Sequence, residues 1–146
     1  MVKLIDYKGC NYPIPFKYSK FMLYSSFSMG IAALIALYFY ETYTSIYFFL
    51  LWLSSINFWR KPEYGMRRNI DKLLVYAGVI YVIYYLFILS TEFYKTMWLF
   101  CFICILFFDI LERIYCYVGS VQWIVFHMAI HIYVSMMVAF CLFDKL

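Results

Sequence analysis

The sequence predicts an all-α fold, a polytopic membrane bundle of five transmembrane helices, from three observations. Hydrophobic residues make up 67% of the 146-residue chain and charged residues only 14%, which is too apolar and too weakly charged for a soluble domain. Apolar runs fill most of the length, and ten of the twelve lysines and arginines lie in the gaps on one side of these runs. Because no long polar stretch occurs, we expect a basic cytosolic arm over residues 1–20 and one membrane domain over residues 21–146.

Five apolar runs are the candidate spans. A helix rises about 1.5 Å per residue, so crossing a hydrocarbon core about 30 Å thick takes about 17–25 apolar residues. Four runs have that length, and the one that begins at Thr96 has it if its helix continues to Val118. Glu41 and Thr42 indicate a tight hairpin between the first two runs, and four spans result if these two do not separate. The runs are Phe21–Tyr40, Tyr43–Trp59, Leu73–Leu89, Thr96–Leu111 and Val121–Phe143.

The distribution of basic residues predicts the orientation. Four lysines precede the first run, five basic residues lie between the second and third runs, and Arg113 lies between the fourth and fifth. Only Lys95 and Lys145 fall on the opposite side. The positive-inside rule therefore predicts an inside N-terminus and, with five spans, an outside C-terminus.

Aromatic residues follow two patterns. Trp59 and Trp123 lie at the ends of runs, as is typical of the interfacial belt. Tyr81, Tyr84 and Tyr85 lie within a run, where each hydroxyl needs a hydrogen-bond partner in a dry interior. We expect these tyrosines to face other helices or other proteins.

Two ionisable residues near the inner end of the fourth run are predicted to pair. Asp109 and Arg113 are four residues apart, so they are neighbours on one helical face, with the acid in the favourable N-terminal position. A proton relay would need a second acid at similar depth, and the runs supply none. The five cysteines predict no disulfide framework, because Cys101, Cys104 and Cys141 lie within runs.

His127 and His131 form an H-x-x-x-H pair near the inner end of the last run. A spacing of four places both imidazoles on one helical face, where they could bind the same metal ion. Met128 follows His127, so the glutamate of a zinc-protease H-E-x-x-H motif is absent. Two ligands are too few for zinc, and other helices would have to contribute. The alternative interpretation is two neutral histidines that are hydrogen-bonded within the bundle.

A wider set of residues has the order and spacing of a known family. Ser55 ends the second run, Asp71 opens the third, and His127 and His131 lie on the last. This pattern resembles the alkaline ceramidase-like superfamily of membrane hydrolases. The resemblance implies a zinc-dependent hydrolase of a lipid amide, in which Ser55 and Asp71 help to hold and activate the attacking water. It also implies that His127 and His131 bind the metal in one inner-facing cleft.

The chain departs from that family at two points. Trp59 stands where the family has its first metal-binding histidine, and an indole cannot bind zinc. The family normally has seven spans. Kinship would therefore imply a relative that kept the bundle and lost the chemistry, and an intact enzyme would need a substitute ligand such as Cys116.

The segment from Trp59 to Asp71 is the most distinctive polar loop. Pro62 and Gly65 indicate a turn, and Asn69 is predicted to cap the third helix. The basic side chains here either set the topology or bind an anionic phospholipid headgroup or an acidic partner surface. These residues are Arg60, Lys61, Arg67 and Arg68.

These observations favour a structural role over an enzymatic one. Basic residues are too few and too close to the membrane for nucleic-acid recognition, and the sequence lacks a complete catalytic set. We expect a small membrane protein that packs against lipid and other subunits, as a structural or assembly component of a virion or organellar complex. That role needs no cofactor. The competing hypothesis is a metal-dependent lipid amide hydrolase that uses zinc.

Overall fold

A computed structural model describes residues 14–144, and this part of the chain is helical with no strand. Only Ser26 separates the first two helices, so the chain forms five rods at the positions of the five predicted runs. The helices are α1 (Phe16–Ser25), α2 (Phe27–Tyr38), α3 (Thr42–Trp59), α4 (Met66–Ile88), α5 (Glu92–Tyr117) and α6 (Trp123–Phe143).

Several helix ends differ from the sequence-based boundaries. Pro15 takes an extended conformation directly before α1, so the helix begins at Phe16, within the segment assigned to the basic arm. Residues 1–13 of that arm lie outside the described residues. The predicted cap at Asn69 is wrong, because α4 begins directly after Gly65. Gly65 has a φ of 134°, which strongly favours glycine.

Three of the described helices are long and apolar enough to cross a membrane, which indicates an integral membrane protein. They are Phe16–Tyr38 (α1 with α2), Met66–Ile88 (α4) and Trp123–Phe143 (α6). The prediction of five spans is not confirmed, since α3 and α5 are not among them. In α3, Thr44 and Ser45 are buried, and they form hydrogen bonds to Tyr85 and to the carbonyl of Ala33 at 2.9 Å. Such polar residues lower the mean hydropathy of α3 but are shielded by the neighbouring helices.

The arrangement of the helices leaves one side of the bundle weakly closed. Neighbouring helices follow the order α4, α3, α2, α6 and α5 around the bundle, and α1 packs on α3 and α6. The contact between α4 and α5 is slight although the two helices are consecutive in the chain. The interior is therefore covered least between α4 and α5.

Hydrogen bonds from tyrosine hydroxyls connect α3 to α4. The hydroxyls of Tyr81 and Tyr85 lie 3.0 and 2.9 Å from the hydroxyl of Thr44, and the Tyr47 hydroxyl donates to the carbonyl of Leu74 at 3.0 Å. The expectation that mid-run tyrosines face other helices is confirmed for Tyr81 and Tyr85. Tyr84 lies at the surface instead, with 59% of its area exposed.

Candidate ligand cavity

A cavity of about 350 Å³ lies between α3, α4, α5 and α6. Its wall contains all four residues that the sequence singled out as a site, namely Ser55, Asp71, His127 and His131. These residues come from three helices and are up to 76 positions apart in the sequence. The fold therefore brings them to the wall of a single cavity.

The polar side chains of the cavity wall come from one end of the bundle. Short connections at residues 60–65 and 118–122 place the end of α3 beside the start of α4, and the end of α5 beside the start of α6. The six charged residues of the wall all lie near these helix ends, and they are Arg68, Asp71, Lys72, Asp109, Glu112 and Arg113. Further along the helices the wall is apolar and aromatic, with residues such as Phe48, Val82, Phe102, Ile105, Val134 and Met137. The cavity is thus amphipathic.

The carboxylate of Asp71 accepts hydrogen bonds from two serines of α3. Ser54 and Ser55 each donate from their hydroxyls to Oδ1 of Asp71 at 2.9 Å. Asp71 is only 8% exposed, so these bonds compensate part of the cost of burying a carboxylate. The sequence identified Ser55 and missed Ser54. The adjacent position of Ser54 alone did not indicate that both hydroxyls reach the same oxygen.

A buried acid holds the first histidine of the pair. Nδ1 of His127 lies 2.9 Å from Oε2 of Glu112, and Glu112 is 2% exposed. The ring of Trp59 also packs against this imidazole in an edge-to-face arrangement, with 4.9 Å between the ring centroids. Trp59 stacks in turn on Trp123 at 6.4 Å. These two tryptophans are 4% and 9% exposed, so they are buried parts of the site rather than surface anchors.

The second histidine is bonded to the first helix. Nδ1 of His131 lies 2.7 Å from Oγ of Ser25, and the centroids of the His127 and His131 rings are 4.7 Å apart. Both imidazoles are therefore hydrogen-bonded within the bundle, as the alternative interpretation of the H-x-x-x-H pair predicted. Their partners, Glu112 and Ser25, could not be identified from the sequence.

The donor set in this region does not complete a zinc site. Within residues 14–144, no group of three or more His, Cys, Asp or Glu side chains is placed to hold a metal ion. The indole of Trp59 occupies the position beside His127. Cys116, the suggested substitute ligand, is disulfide-bonded, a bond that the sequence analysis does not predict, whereas Cys101, Cys104 and Cys141 are free. The side chains described here therefore do not fit a bound zinc ion.

The four basic residues predicted to contact lipid or a partner divide into two groups. Arg60 donates to Asn57 at 3.1 Å, and Lys61 and Arg67 both lie near Glu63, at 3.3 and 3.7 Å. Arg68 instead lines the cavity.

The predicted pairing of Asp109 with Arg113 is confirmed. Nε of Arg113 donates to Oδ2 of Asp109 at 2.7 Å. This pair also forms part of the cavity wall.

Comparison of the chain with models of protein families, with curated proteins and with solved structures gives no significant match.

Proposed function

We propose that this protein binds one amphipathic molecule, a membrane lipid, in the cavity between α3, α4, α5 and α6. The observation that carries the proposal is the polarity of the cavity wall, charged at one end and apolar along the rest. A lipid has the same division between head and chain. Pockets for small molecules typically combine apolar walls with a few polar groups that fix the orientation of the ligand.

The size and position of the cavity support a ligand that enters from the bilayer. A volume of about 350 Å³ is at the lower end of the range for small-molecule pockets, about 300–1,000 Å³, which favours one hydrocarbon chain over two. The slight contact between α4 and α5 offers a lateral route from the surrounding lipid. In this proposal all five rods cross the membrane, and the polar end of the cavity faces the inner leaflet.

Native mass spectrometry of the full chain, purified in a mild detergent, tests this function. We expect one bound lipid per chain. Ile130→Trp should abolish binding, because Ile130 lines the cavity and the larger ring fills it. Ile132→Trp is the matched control on the same helix, since Ile132 is 48% exposed and lies outside the cavity wall. No retained lipid, or equal retention by the two variants, would refute the proposal.

A lipid amide hydrolase is a second candidate, and one observation favours it. Ser55 and Asp71 are hydrogen-bonded on the cavity wall that also includes His127 and His131, as the resemblance to the ceramidase-like superfamily implies. This activity requires a third metal ligand in addition to the two imidazoles. Stoichiometric zinc in the purified wild-type protein, lost in a His127→Ala, His131→Ala double variant, would favour the hydrolase. Zinc-free protein that still binds lipid would exclude it.

We propose a different surface for the assembly role that the sequence analysis expects. Ile80, Tyr84 and Phe87 lie on one face of α4 and are 72%, 59% and 82% exposed. A partner helix on this face would shield the Tyr84 hydroxyl from hydrocarbon. A photoreactive amino acid in place of Phe87 should then cross-link a protein in the native membrane, whereas cross-linking to lipid alone would exclude a partner here.

A further inference from the structure

Trp59 carries a buried donor with no acceptor in the described part of the chain. The indole is 4% exposed, and its Nε1 atom makes no hydrogen bond. An unpaired buried N–H costs about 1–3 kcal/mol, and such groups are rare unless a water or a ligand supplies the acceptor. Because Trp59 lines the cavity, a ligand in the cavity is the natural source of that acceptor.

The neighbouring imidazole offers the complementary group. His127 uses Nδ1 for its bond to Glu112. When Glu112 is ionised, its carboxylate can only accept, which places the imidazole proton on Nδ1 and leaves Nε2 as an acceptor. Nε2 of His127 has no hydrogen bond among residues 14–144, and the rings of Trp59 and His127 are in contact, with 4.9 Å between their centroids. With this tautomer, the two contacting rings supply one unpaired donor, the indole N–H of Trp59, and one acceptor, Nε2 of His127.

A hydroxyl group matches this arrangement, because the same oxygen accepts from the indole N–H and donates to the imidazole nitrogen. A phosphate has no proton to donate when fully ionised, and it brings two negative charges. The charged side chains of the cavity wall offer it no excess of positive charge, since three are basic and three acidic. The polar end of the cavity therefore favours a lipid with an uncharged head group over a lipid with an anionic head group.

We infer that the cavity recognises a single-chain neutral lipid with a free hydroxyl in its head, such as a monoacylglycerol or a long-chain alcohol, through Trp59 and His127. This inference rests on the proposed function and adds the chemical class of the ligand.

Two lipids with the same chain test the inference on the wild-type protein in nanodiscs. The probes are monooleoylglycerol, which has an uncharged hydroxyl head, and oleyl phosphate, which has a phosphate head and no alcohol group. We expect monooleoylglycerol to bind at least tenfold more tightly, as measured by native mass spectrometry over a concentration series. Equal or tighter binding of the phosphate lipid would overturn the inference while leaving lipid binding intact. Failure of both lipids to bind would instead refute the proposed function.

Paired tryptophan variants test the role of the indole N–H. Trp59→Phe keeps the ring and removes the donor, so we expect about tenfold weaker binding of monooleoylglycerol, the loss of about one hydrogen bond. Trp52→Phe is the control, because Trp52 Nε1 is also buried without a partner but Trp52 lies outside the cavity wall. Trp52→Phe should leave the affinity within twofold of wild type. Unchanged affinity in Trp59→Phe would overturn the inference.

Discussion

A double-mutant cycle at Gly78 and Tyr47 tests the packing of α4 on α3, which forms one wall of the cavity. A Cβ atom at Gly78 would collide with the hydroxyl of Tyr47, which donates to the carbonyl of Leu74 at 3.0 Å. Gly78→Ala should therefore displace that hydroxyl and break the bond. The next nearest atom, Cζ of Tyr47, lies 3.5 Å from the added Cβ, so the hydroxyl oxygen is the only close obstacle in the described part of the chain.

The free-energy changes follow from this geometry. In wild type, Gly78→Ala lowers the free energy of unfolding in two ways: it breaks a hydrogen bond worth about 1 kcal/mol, and it overpacks the interface at a cost of about 1–3 kcal/mol. The higher helix propensity of alanine raises the free energy of unfolding by about 1 kcal/mol. The expected net loss of unfolding free energy is about 1–3 kcal/mol. In a Tyr47→Phe background the obstacle is absent, and the same substitution should be neutral or stabilise by up to about 1 kcal/mol. The expected coupling, the difference between these two effects, is about 1–4 kcal/mol.

Unfolding in mixed detergent micelles, followed by circular dichroism, measures all four proteins of the cycle. Coupling well above the usual error of about 0.5 kcal/mol confirms that Gly78 faces the Tyr47 hydroxyl. Additive effects of the two substitutions would refute the reasoning, because additivity means that the two positions do not touch.

Three further predictions concern a helix end, an engineered zinc site and the topology. Asp144 accepts hydrogen bonds from the backbone N–H groups of Ser90 and Thr91 at 2.8 and 2.9 Å; burial raises the pKa of its carboxyl, but the hydrogen bonds from Ser90 and Thr91 outweigh burial and lower it overall. The stabilisation from these hydrogen bonds is therefore present above the unfolded pKa of about 3.9 and is lost as the pH falls through the lower folded pKa. Asp144→Asn should lower the free energy of unfolding at pH 7 and flatten the acid limb of a stability–pH profile, and an unchanged profile would contradict this. Trp59→His should create a zinc site, because the ring centroids of Trp59 and His127 are 4.9 Å apart and those of His127 and His131 are 4.7 Å apart, each close to the roughly 5 Å expected for two imidazoles bound to one tetrahedral zinc. Elemental analysis should give one zinc per chain in this variant and far less in wild type, and a zinc-free variant would contradict this prediction. If α5 spans the membrane, an impermeant thiol reagent should label Ser90→Cys and Val118→Cys in a cysteine-free background from opposite sides, whereas labelling from the same side would exclude α5 as a span.

Hydropathy located the rods of the fold because apolar runs of this length form helices in a membrane regardless of their partners. Hydropathy is less accurate at the ends of the helices, because local backbone geometry determines the residue at which a helix begins or ends. The first turns of α4 contain Arg67, Arg68 and Lys72, which reduced the apolar signal, although Gly65 allows the helix to begin at Met66. The fourth run needs a helix that continues to Val118 to reach the span length, and α5 ends one residue earlier, at Tyr117.

The candidate site was predicted in part. Spacing alone placed His127 and His131 on one helical face, and the resemblance added Ser55 and Asp71. The partners of the imidazoles could not be predicted, because Glu112 is on a different helix and Ser25 is 106 residues from His131. Trp59 was assigned to the membrane interface from its position at the end of a run. Its burial depends on how α3, α5 and α6 pack, and that packing is not encoded in local sequence.

The central claim is that the cavity holds a lipid whose head meets Trp59 and His127. A density map of the protein in a lipid nanodisc tests this claim most directly. We predict elongated density for one chain between α3, α4, α5 and α6, with its polar end within hydrogen-bonding distance of the Trp59 indole nitrogen, about 3 Å. Side chains that collapse into this space, or density for ordered water alone, would contradict it.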